Sequence, residues 1–341
     1  MRAARYYGAE DVRIEDLPDR SVTRDEVKVN VEWCGICGTD KMVYSYDMPY
    51  DTPLTIGHEC SGVVAEVGED ITHVKVGDRV VIRPTFPCGK CNACLNGPRN
   101  LCENLIPYGI HGDYGAFAES TIVPGEAVFF LPENIPFDVA ALTEPIGVGL
   151  HALRISQFKP GDDVAVIGGG AIGLLFVSLL SAFSASKIIL ITRTESKRKL
   201  AEKLGATLTI DPISQDCVDE VINYTNGGVS MAFDMVGAQD TLAQCVTMLK
   251  PRGQVVVAGG LHYNTAVPYD LMTKELNILG SMCTLDEVPR VLDLLAAGKI
   301  RTEGIVTKKV YLDDVVEEGL ETFLNDSTQI KILVTPKKEN L

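Results

Sequence analysis

Residues 164–173 read VAVIGGGAIG and join an apolar, strand-like run to a glycine-rich turn. The pattern G-x-G-x-x-G begins at Gly168, and the apolar segment behind it is typical of a helix. Such glycines allow a tight turn, close approach of a pyrophosphate and close packing of helix on strand, although the pattern alone also fits an ordinary turn. Free N–H groups at the helix start favour an anion. We therefore expect a dinucleotide to contact Gly168, Gly170, Ala171, Ile172 and Gly173.

Apolar strand-like runs alternate with helical stretches around this segment, from about Gly149 to Cys283. The helix at 195–205 is well marked, because Leu200 and Leu204 share one face and Gly205 suits the C-cap. The alternation predicts βαβ units and a parallel sheet, the α/β Rossmann class. The predicted strands are 163–167, 188–192, 231–235, 254–258 and 276–279.

The end of the second of these strands bears on the choice of cofactor. NAD enzymes usually carry Asp or Glu ~20 residues after the fingerprint, where it binds the ribose 2′-hydroxyl. This chain has Thr192 and then Arg193, with Lys197 or Arg198 as further cations. Because a 2′-phosphate needs cations and hydroxyl donors, we expect NADP rather than NAD. Glu195 counts against a preference for NADP. A simpler interpretation is that these charged side chains are merely solvated on one face of a helix.

The first 148 residues follow another pattern. Short alternating apolar runs such as EVKVNVEW, SGVVAEVG and DRVVIRP are separated by Gly, Asp and Pro. Strand length, β-branched content and turn residues predict an antiparallel, barrel-like β domain. After Cys283 we expect a helix, a strand at 305–310, another helix and a last strand at 330–334.

Four cysteines lie within the segment CGKCNACLNGPRNLC, namely Cys88, Cys91, Cys94 and Cys102. The spacing C-x2-C-x2-C-x7-C lets four thiolates converge on one tetrahedral zinc at roughly 2.3 Å, with no position left for chemistry. A disulfide knot would need an oxidising compartment. An iron–sulfur cluster is the other alternative, but the run lacks the proline that follows the last cysteine of the bacterial pattern. The segment predicts a structural zinc site.

Composition limits the partners and the compartment. The net charge of −15 and the pI near 4.8 argue against nucleic-acid or anionic-membrane partners. The first residues lack the apolar core of a signal peptide, and no run of 18 uninterrupted apolar residues occurs. We therefore expect a cytoplasmic protein, in which the ten cysteines are ligands, nucleophiles or small core residues.

A second constellation joins Cys37, in WCGICGTD, to His58 and Glu59, in GHE. A C-x-x-C pair also occurs in thioredoxin-like sites, but this one lies in a β-rich stretch. Together with the four-cysteine segment, EPIGVGLHA at 144–152 and the glycine fingerprint, in this order, these motifs resemble the zinc-dependent medium-chain alcohol and polyol dehydrogenases. The terminal segments look most similar to the 2,3-butanediol, sorbitol and threonine dehydrogenase branch.

The resemblance implies a division of the chain and a metal content. Residues 1–148 and 284–341 would form a GroES-like, β-rich catalytic domain, and residues 149–283 the Rossmann domain. Two zinc ions per chain are implied, one catalytic and one structural. Homodimers or homotetramers, joined through the Rossmann sheets, are the expected assemblies.

The resemblance also implies the ligands of the catalytic zinc. Cys37, His58 and Glu144 would hold it, with Glu59 beside the metal, either as a direct ligand or exchanging with water. A thiolate, an imidazole and a carboxylate leave one position open for a substrate oxygen.

The resemblance also implies a route for the proton, through residues that follow Cys37. Thr39 would bind the substrate hydroxyl and begin proton export. Asp40 would fix the tautomer of His58, unless it only caps the local turn. Related enzymes often carry a His two residues after this Asp, whereas this chain has Met42, which carries no proton. The relay would then end in water, in the cofactor ribose or in Tyr44.

The predicted function is hydride transfer between NADP(H) and a secondary alcohol, vicinal diol or polyol. Dehydrogenation of L-threonine or of a sugar-alcohol phosphate is the alternative within the family. A non-catalytic NADP-binding redox sensor is the alternative from another class. His111, in IHGDYGAFAE, is a further candidate for lining the substrate pocket.

Overall fold

The structure is a computed structural model that describes residues 1–46, 52–110, 115–260 and 270–341. His111 lies outside the described residues. The chain forms two compact units. The first comprises Met1–Glu144, Thr284–Ala297 and Val306–Leu341, and the second comprises Pro145–Cys283 and Gly298–Ile305. Among the described residues, no helix combines the length and the apolarity that crossing a bilayer requires.

Two boundaries differ from those expected. The first unit ends at Glu144 instead of residue 148, inside the helix Thr143–Ile155, so no linker separates the two units in sequence. The segment Gly298–Ile305 belongs with the second unit because Arg301 is bonded there. Its backbone N–H donates to Ser178 Oγ, and its guanidinium donates to Ser181 Oγ and to the carbonyl of Lys203.

The strands and helices are numbered along the chain. The strands are β1 (Arg2–Gly8), β2 (Asp11–Asp16), β3 (Glu26–Gly35), β4 (Leu54–Thr55), β5 (Glu59–Val67), β6 (Arg79–Ile82), β7 (Thr85–Phe86), β8 (Ile106–Pro107), β9 (Ser120–Pro124), β10 (Val128–Phe130), β11 (Asp163–Ile167), β12 (Lys187–Ile191), β13 (Leu208–Ile210), β14 (Val229–Asp234), β15 (Leu249–Val257), β16 (Asn277–Gly280), β17 (Val306–Tyr311) and β18 (Lys331–Thr335). The helices are α1 (Gly38–Ser45), α2 (Asn92–Asn96), α3 (Phe137–Ala140), α4 (Thr143–Ile155), α5 (Ala171–Ala182), α6 (Glu195–Leu204), α7 (Cys217–Thr225), α8 (Gln239–Thr247), α9 (Asp270–Thr273), α10 (Val288–Ala296) and α11 (Thr322–Asn325).

The first unit is built on a mainly antiparallel sheet in the order β10-β6-β5-β3-β18-β17, with β9 also paired to β3. Alternate residues of β3, Val27, Val29 and Val31, are fully buried, which is the period-2 pattern of a strand with one face on a core. The expected antiparallel, β-rich domain is therefore present in this unit. The helix expected between the last two strands is a π-helical segment, Val315–Glu321, continued by α11.

The second unit contains a parallel sheet in the order β13-β12-β11-β14-β15-β16, as the alternation predicts. β11 has the predicted bounds, and α6 ends where Gly205 takes the positive φ of a C-cap. β13 was not predicted, because three residues are too few for a recognisable apolar pattern. The strand order reverses beside β11, and ligands of such sheets bind at the carboxyl ends of the strands at this point.

Candidate active site

Strand pairing brings the first set of candidate metal ligands together. β3 ends at Gly35, which pairs in antiparallel register with Glu59, the first residue of β5. Cys37 and His58 each lie close to this pair along the chain. One ligand atom each of Cys37, His58 and Glu59 lies within 4.8 Å of the other two.

Asp40 both caps the local turn and faces the imidazole. Its Oδ2 accepts a hydrogen bond from the backbone N–H of Cys37 at 2.8 Å, at the start of α1. Its Oδ1 lies 3.4 Å from His58 Nδ1, and the two residues are only 1% and 3% exposed. Burial lowers the pKa of His58, but the charges and contacts of Asp40 and Cys37 outweigh it, and the net shift is upward. Nδ1 thus faces a carboxylate, and Nε2 is the nitrogen that suits a metal.

Thr39 lies at the start of the same helix. Its Oγ1 is 3.8 Å from the sulfur of Cys37, and the residue is half-buried. Tyr44, the alternative relay group, donates a hydrogen bond to Glu321 Oε1 at 3.4 Å. Because Glu321 is exposed, the contact of Tyr44 leads toward solvent.

Glu144 lies near these groups but outside the set that approaches within 4.8 Å. It is in the first turn of α4. Burial and the nearby carboxylate of Glu59 raise the pKa of Glu144 to about 7, whereas the charges of His58 and Lys331 act to lower it. Buried carboxylates beside a cysteine and a histidine are a donor set that fits a divalent zinc ion. The geometry thus groups Glu59 more tightly than Glu144 with Cys37 and His58.

A buried lysine at this site was not predicted. Lys331 Nζ donates to both carboxylate oxygens of Glu59 at 2.6 Å and to the carbonyl of Ile36 at 2.9 Å. The sequence signal is a single cation inside the apolar run IKILV, in a strand that is buried along its whole length.

The four cysteines of the separate segment form a second group. Their sulfurs all lie within 4.8 Å of one another. Backbone N–H groups of Cys88 and Asn104 donate to the sulfur of Cys102 at 3.2 and 3.3 Å. Backbone donors at Lys90 and Cys91 lower the pKa of Cys88 to about 6. Converging sulfurs that accept N–H bonds are the donor set of a closed zinc site.

The glycine fingerprint has the geometry that a pyrophosphate needs. Gly168 has a φ of +116°, and a side chain at Gly173 would lie 1.9 Å from the carbonyl oxygen of Gly168. Gly170 is the N-cap of α5, and no atom of the described residues lies within 4 Å of the position that its Cβ would take. The three positions of the pattern therefore provide the turn, the close packing and the open approach.

The turn after β12 adjoins the fingerprint. A Cβ at Gly169 would meet Thr192 Oγ1 at 2.5 Å. Arg198 Nη1 donates to the carbonyls of Thr192 and Arg193 at 2.7 and 2.8 Å, and its Nη2 lies 3.3 Å from Asp211. Arg198 therefore holds the turn together, whereas the side chain of Arg193 is exposed beside it.

Two charged residues of α6, Lys197 and Glu195, follow this turn in the sequence. Lys197 is half-buried in the first turn of the helix. Glu195 is exposed and pairs with Lys199 at 2.6 Å, so its carboxylate is directed along the outer face of the helix.

Comparison with known proteins agrees with the description of both units of the chain. Residues 23–133 match the family described as alcohol dehydrogenase GroES-like domain, and residues 171–297 match the family described as zinc-binding dehydrogenase. (R,R)-butanediol dehydrogenase of Bacillus subtilis is 36% identical, over 98% of this chain and 100% of its own length. Sorbitol dehydrogenase of the same organism is 32% identical, over 99% and 98%. A solved chain from Sinorhizobium meliloti, described as a zinc-binding dehydrogenase bound to NADP, is 34% identical with a TM-score of 0.92, over 98% and 99% of the two chains.

Proposed function

Since the chain belongs to the zinc-dependent medium-chain alcohol and polyol dehydrogenases, we propose that it interconverts a small vicinal diol and its hydroxyketone with NADP(H). In the oxidising direction the carbinol carbon gives a hydride to the nicotinamide, the hydroxyl gives up a proton, and a C=O bond forms. The observation that carries the proposal is the convergence of ligand atoms of Cys37, His58 and Glu59, in a chain matched along its length by a butanediol dehydrogenase.

In this proposal a catalytic zinc would be held by Cys37, His58 and a carboxylate of Glu144, and exchangeably by Glu59. When bound, it would supply Lewis acidity at the substrate oxygen. Asp40, 3.4 Å from Nδ1, keeps His58 oriented so that Nε2 is available. Thr39 accepts the hydroxyl proton and passes it outward, through water or the cofactor ribose, because Met42 has no group that could carry it.

A second zinc, bound by the four converging cysteine sulfurs, stabilises their segment. Four thiolates leave no open coordination position, so this ion takes no part in the reaction. The proposal thus gives two zinc ions per chain with separate roles.

Three observations support NADP over NAD. Thr192 follows β12 directly, so no acidic residue stands at the position that binds a ribose 2′-hydroxyl. Arg193 is exposed beside the glycine turn, and Glu195 is engaged by Lys199. The relative from Sinorhizobium meliloti was solved with NADP. We propose that Arg193, with Thr192 and Lys197, binds the 2′-phosphate.

Replacing Arg193 by alanine should weaken NADPH binding about 10–100-fold, because charge-assisted hydrogen bonds to the 2′-phosphate are lost. NADH, which lacks this phosphate, should bind as before. Titration of both cofactors by fluorescence would measure the difference. Lys199→Ala is the matched control, since it removes a cation of the same helix that already pairs with Glu195. Equal weakening of NADPH and NADH would contradict the assignment.

Initial rates with a panel of alcohols test the function itself. The panel comprises the stereoisomers of 2,3-butanediol, sorbitol, xylitol, threonine and 2-propanol, each with NAD and NADP, and zinc is counted per chain on the same sample. Turnover of a diol with NADP and about two zinc ions per chain is the expected result. Preference for threonine, sorbitol or xylitol would change the proposed substrate and leave the chain in the same family. NADP binding with neither zinc nor turnover would instead favour a redox sensor.

A homodimer joined through the Rossmann sheet is also proposed. β16 is the edge strand of that sheet in the described chain, and Ile278 on it and Met282 beyond it are 41% and 51% exposed. An exposed, partly apolar edge strand is a template for pairing with a second strand, and a two-fold axis would pair it with its own copy. Light scattering that gave only the 36.9 kDa mass of one chain would contradict this assembly.

A further inference from the structure

Asp234, the last residue of β14, is a buried acid to which the proposed reaction assigns no role. It is fully buried, yet its carboxylate bonds to the turn that follows the strand. Oδ1 accepts hydrogen bonds from the backbone N–H groups of Val236 and Gly237 at 2.9 and 3.0 Å. Oδ2 accepts one from the hydroxyl of Thr241, in the first turn of α8, at 2.8 Å. One carboxylate therefore fixes the turn and ties it to the next helix.

The turn after β14 lies against the first glycine of the fingerprint. The backbone N–H of Met235 donates to the carbonyl of Ile167, the residue before Gly168, at 3.0 Å. A Cβ at Gly168 would lie 2.9 Å from Cγ2 of Val236, and Val236 is 39% exposed. Val236 therefore presents a partly exposed apolar side chain beside the glycine turn.

The main-chain carbonyl of Asp234 holds the turn after the neighbouring strand. It accepts hydrogen bonds from the backbone N–H groups of Ala258 and Gly259, just beyond β15, at 2.9 and 3.0 Å. A Cβ at Gly259 would lie 2.4 Å from the backbone nitrogen of Gly237, so the two turns are packed without room for a side chain. A shift of the turn after β14 would therefore also displace the turn after β15.

The strand order places the turns on either side of the fingerprint in different halves of a dinucleotide site. A Rossmann sheet consists of two mononucleotide-binding halves, and the dinucleotide binds across the point where the strand order reverses. β12, which precedes Thr192 and Arg193, lies on one side of β11, and β14 lies on the other. The proposed 2′-phosphate site belongs to the β12 side. The nicotinamide half of the cofactor would therefore lie on the β14 side, beside Val236.

We propose that Asp234 is a positioning residue for the nicotinamide half of the cofactor. Its carboxylate keeps the turn at 235–237 in the conformation in which Val236 borders the glycine fingerprint. Because the turn is ordered in advance, cofactor binding does not have to order it, and the affinity is higher for that reason. This inference rests on the proposed binding of NADP(H) and is independent of the metal.

Asp234→Asn tests this role through cofactor binding instead of through turnover. The neutral amide weakens the charge-assisted hydrogen bonds from the turn, so NADPH should bind about tenfold more weakly. 2′,5′-ADP, which carries the adenine half and the 2′-phosphate without the nicotinamide, should bind as before. Fluorescence titration of NADPH and calorimetry of 2′,5′-ADP would give the two Kd values.

Asp216→Asn is the matched control. Asp216 also accepts hydrogen bonds from two backbone N–H groups, those of Val218 and Asp219, at 3.0 and 3.1 Å. It caps α7, which follows the outermost strand, β13, and lies away from the fingerprint in the strand order. Its replacement should leave the Kd of both ligands unchanged.

A second pair of variants keeps the test decisive if Asp234→Asn folds poorly. Thr241→Val keeps the shape of the side chain but removes the hydroxyl that donates to Oδ2 of Asp234. It should weaken NADPH binding in the same direction and leave 2′,5′-ADP binding unchanged. Thr241→Ser restores the donor and should bind NADPH like the unchanged protein.

Equal weakening of NADPH and 2′,5′-ADP in these variants, or no weakening of either, would overturn the role of Asp234. That result differs from failure of the proposed cofactor, in which the unchanged protein itself would bind neither ligand. Such a protein would overturn both proposals.

Discussion

Replacing His58 by alanine should remove the catalytic zinc and reduce kcat/KM for the alcohol by about 10³-fold or more, because metal Lewis acidity supplies several kcal/mol of transition-state stabilisation. His58 is 3% exposed, so alanine leaves a buried gap that no nearby donor fills. The zinc count should fall by one of the two proposed ions. NADPH binding should be unchanged, because the glycine fingerprint belongs to the other unit.

His73→Ala is the matched control for this variant. His73 lies in the same unit, and its Nε2 lies 3.1 Å from the carbonyl oxygen of Gly125, away from the metal ligands. It should keep both zinc ions and its turnover. If His58→Ala retained its full zinc content or oxidised the alcohol at a comparable rate, the proposed ligand set would be wrong.

The strands of the Rossmann unit were predictable because parallel strands are buried on both faces. Residues 164–167 of β11, for example, are all buried, so they appear in the sequence as a continuous apolar run. The GxGxxG pattern was equally recognisable, because its glycines meet local requirements, namely the turn, the open approach and the close packing. β13 was not recognised because it has only three residues, two of which are only partly buried.

The candidate site was predictable only in part, because some of its contacts depend on tertiary structure. Cys37 and His58 stand in local motifs, so the resemblance to the family could name both as candidate ligands. Lys331 lies 272 residues from its partner Glu59, and its burial follows from the pairing of β18 with β3. Arg198 looked like a second phosphate ligand, but its guanidinium is engaged by backbone carbonyls that no local pattern reveals.

Thr39→Val should lower kcat by about 10²–10⁴-fold, the usual contribution of a positioned proton acceptor. Valine has nearly the same shape and the same branching at Cβ, so α1 should keep its start and the zinc should remain bound. Steady-state rates, zinc content and Tm measured on one preparation would distinguish a loss of catalysis from a loss of zinc or of folding stability.

Thr39→Ser is the conservative partner, since it restores the hydroxyl near the sulfur of Cys37. Serine should recover most of the turnover that valine loses, and the pH dependence of kcat should return with it, because the hydroxyl is the group that takes the proton. A valine variant with nearly unchanged kcat would mean that the alcohol proton leaves by another route. Water at the metal would then be the direct acceptor, and Thr39 would serve only to begin the helix.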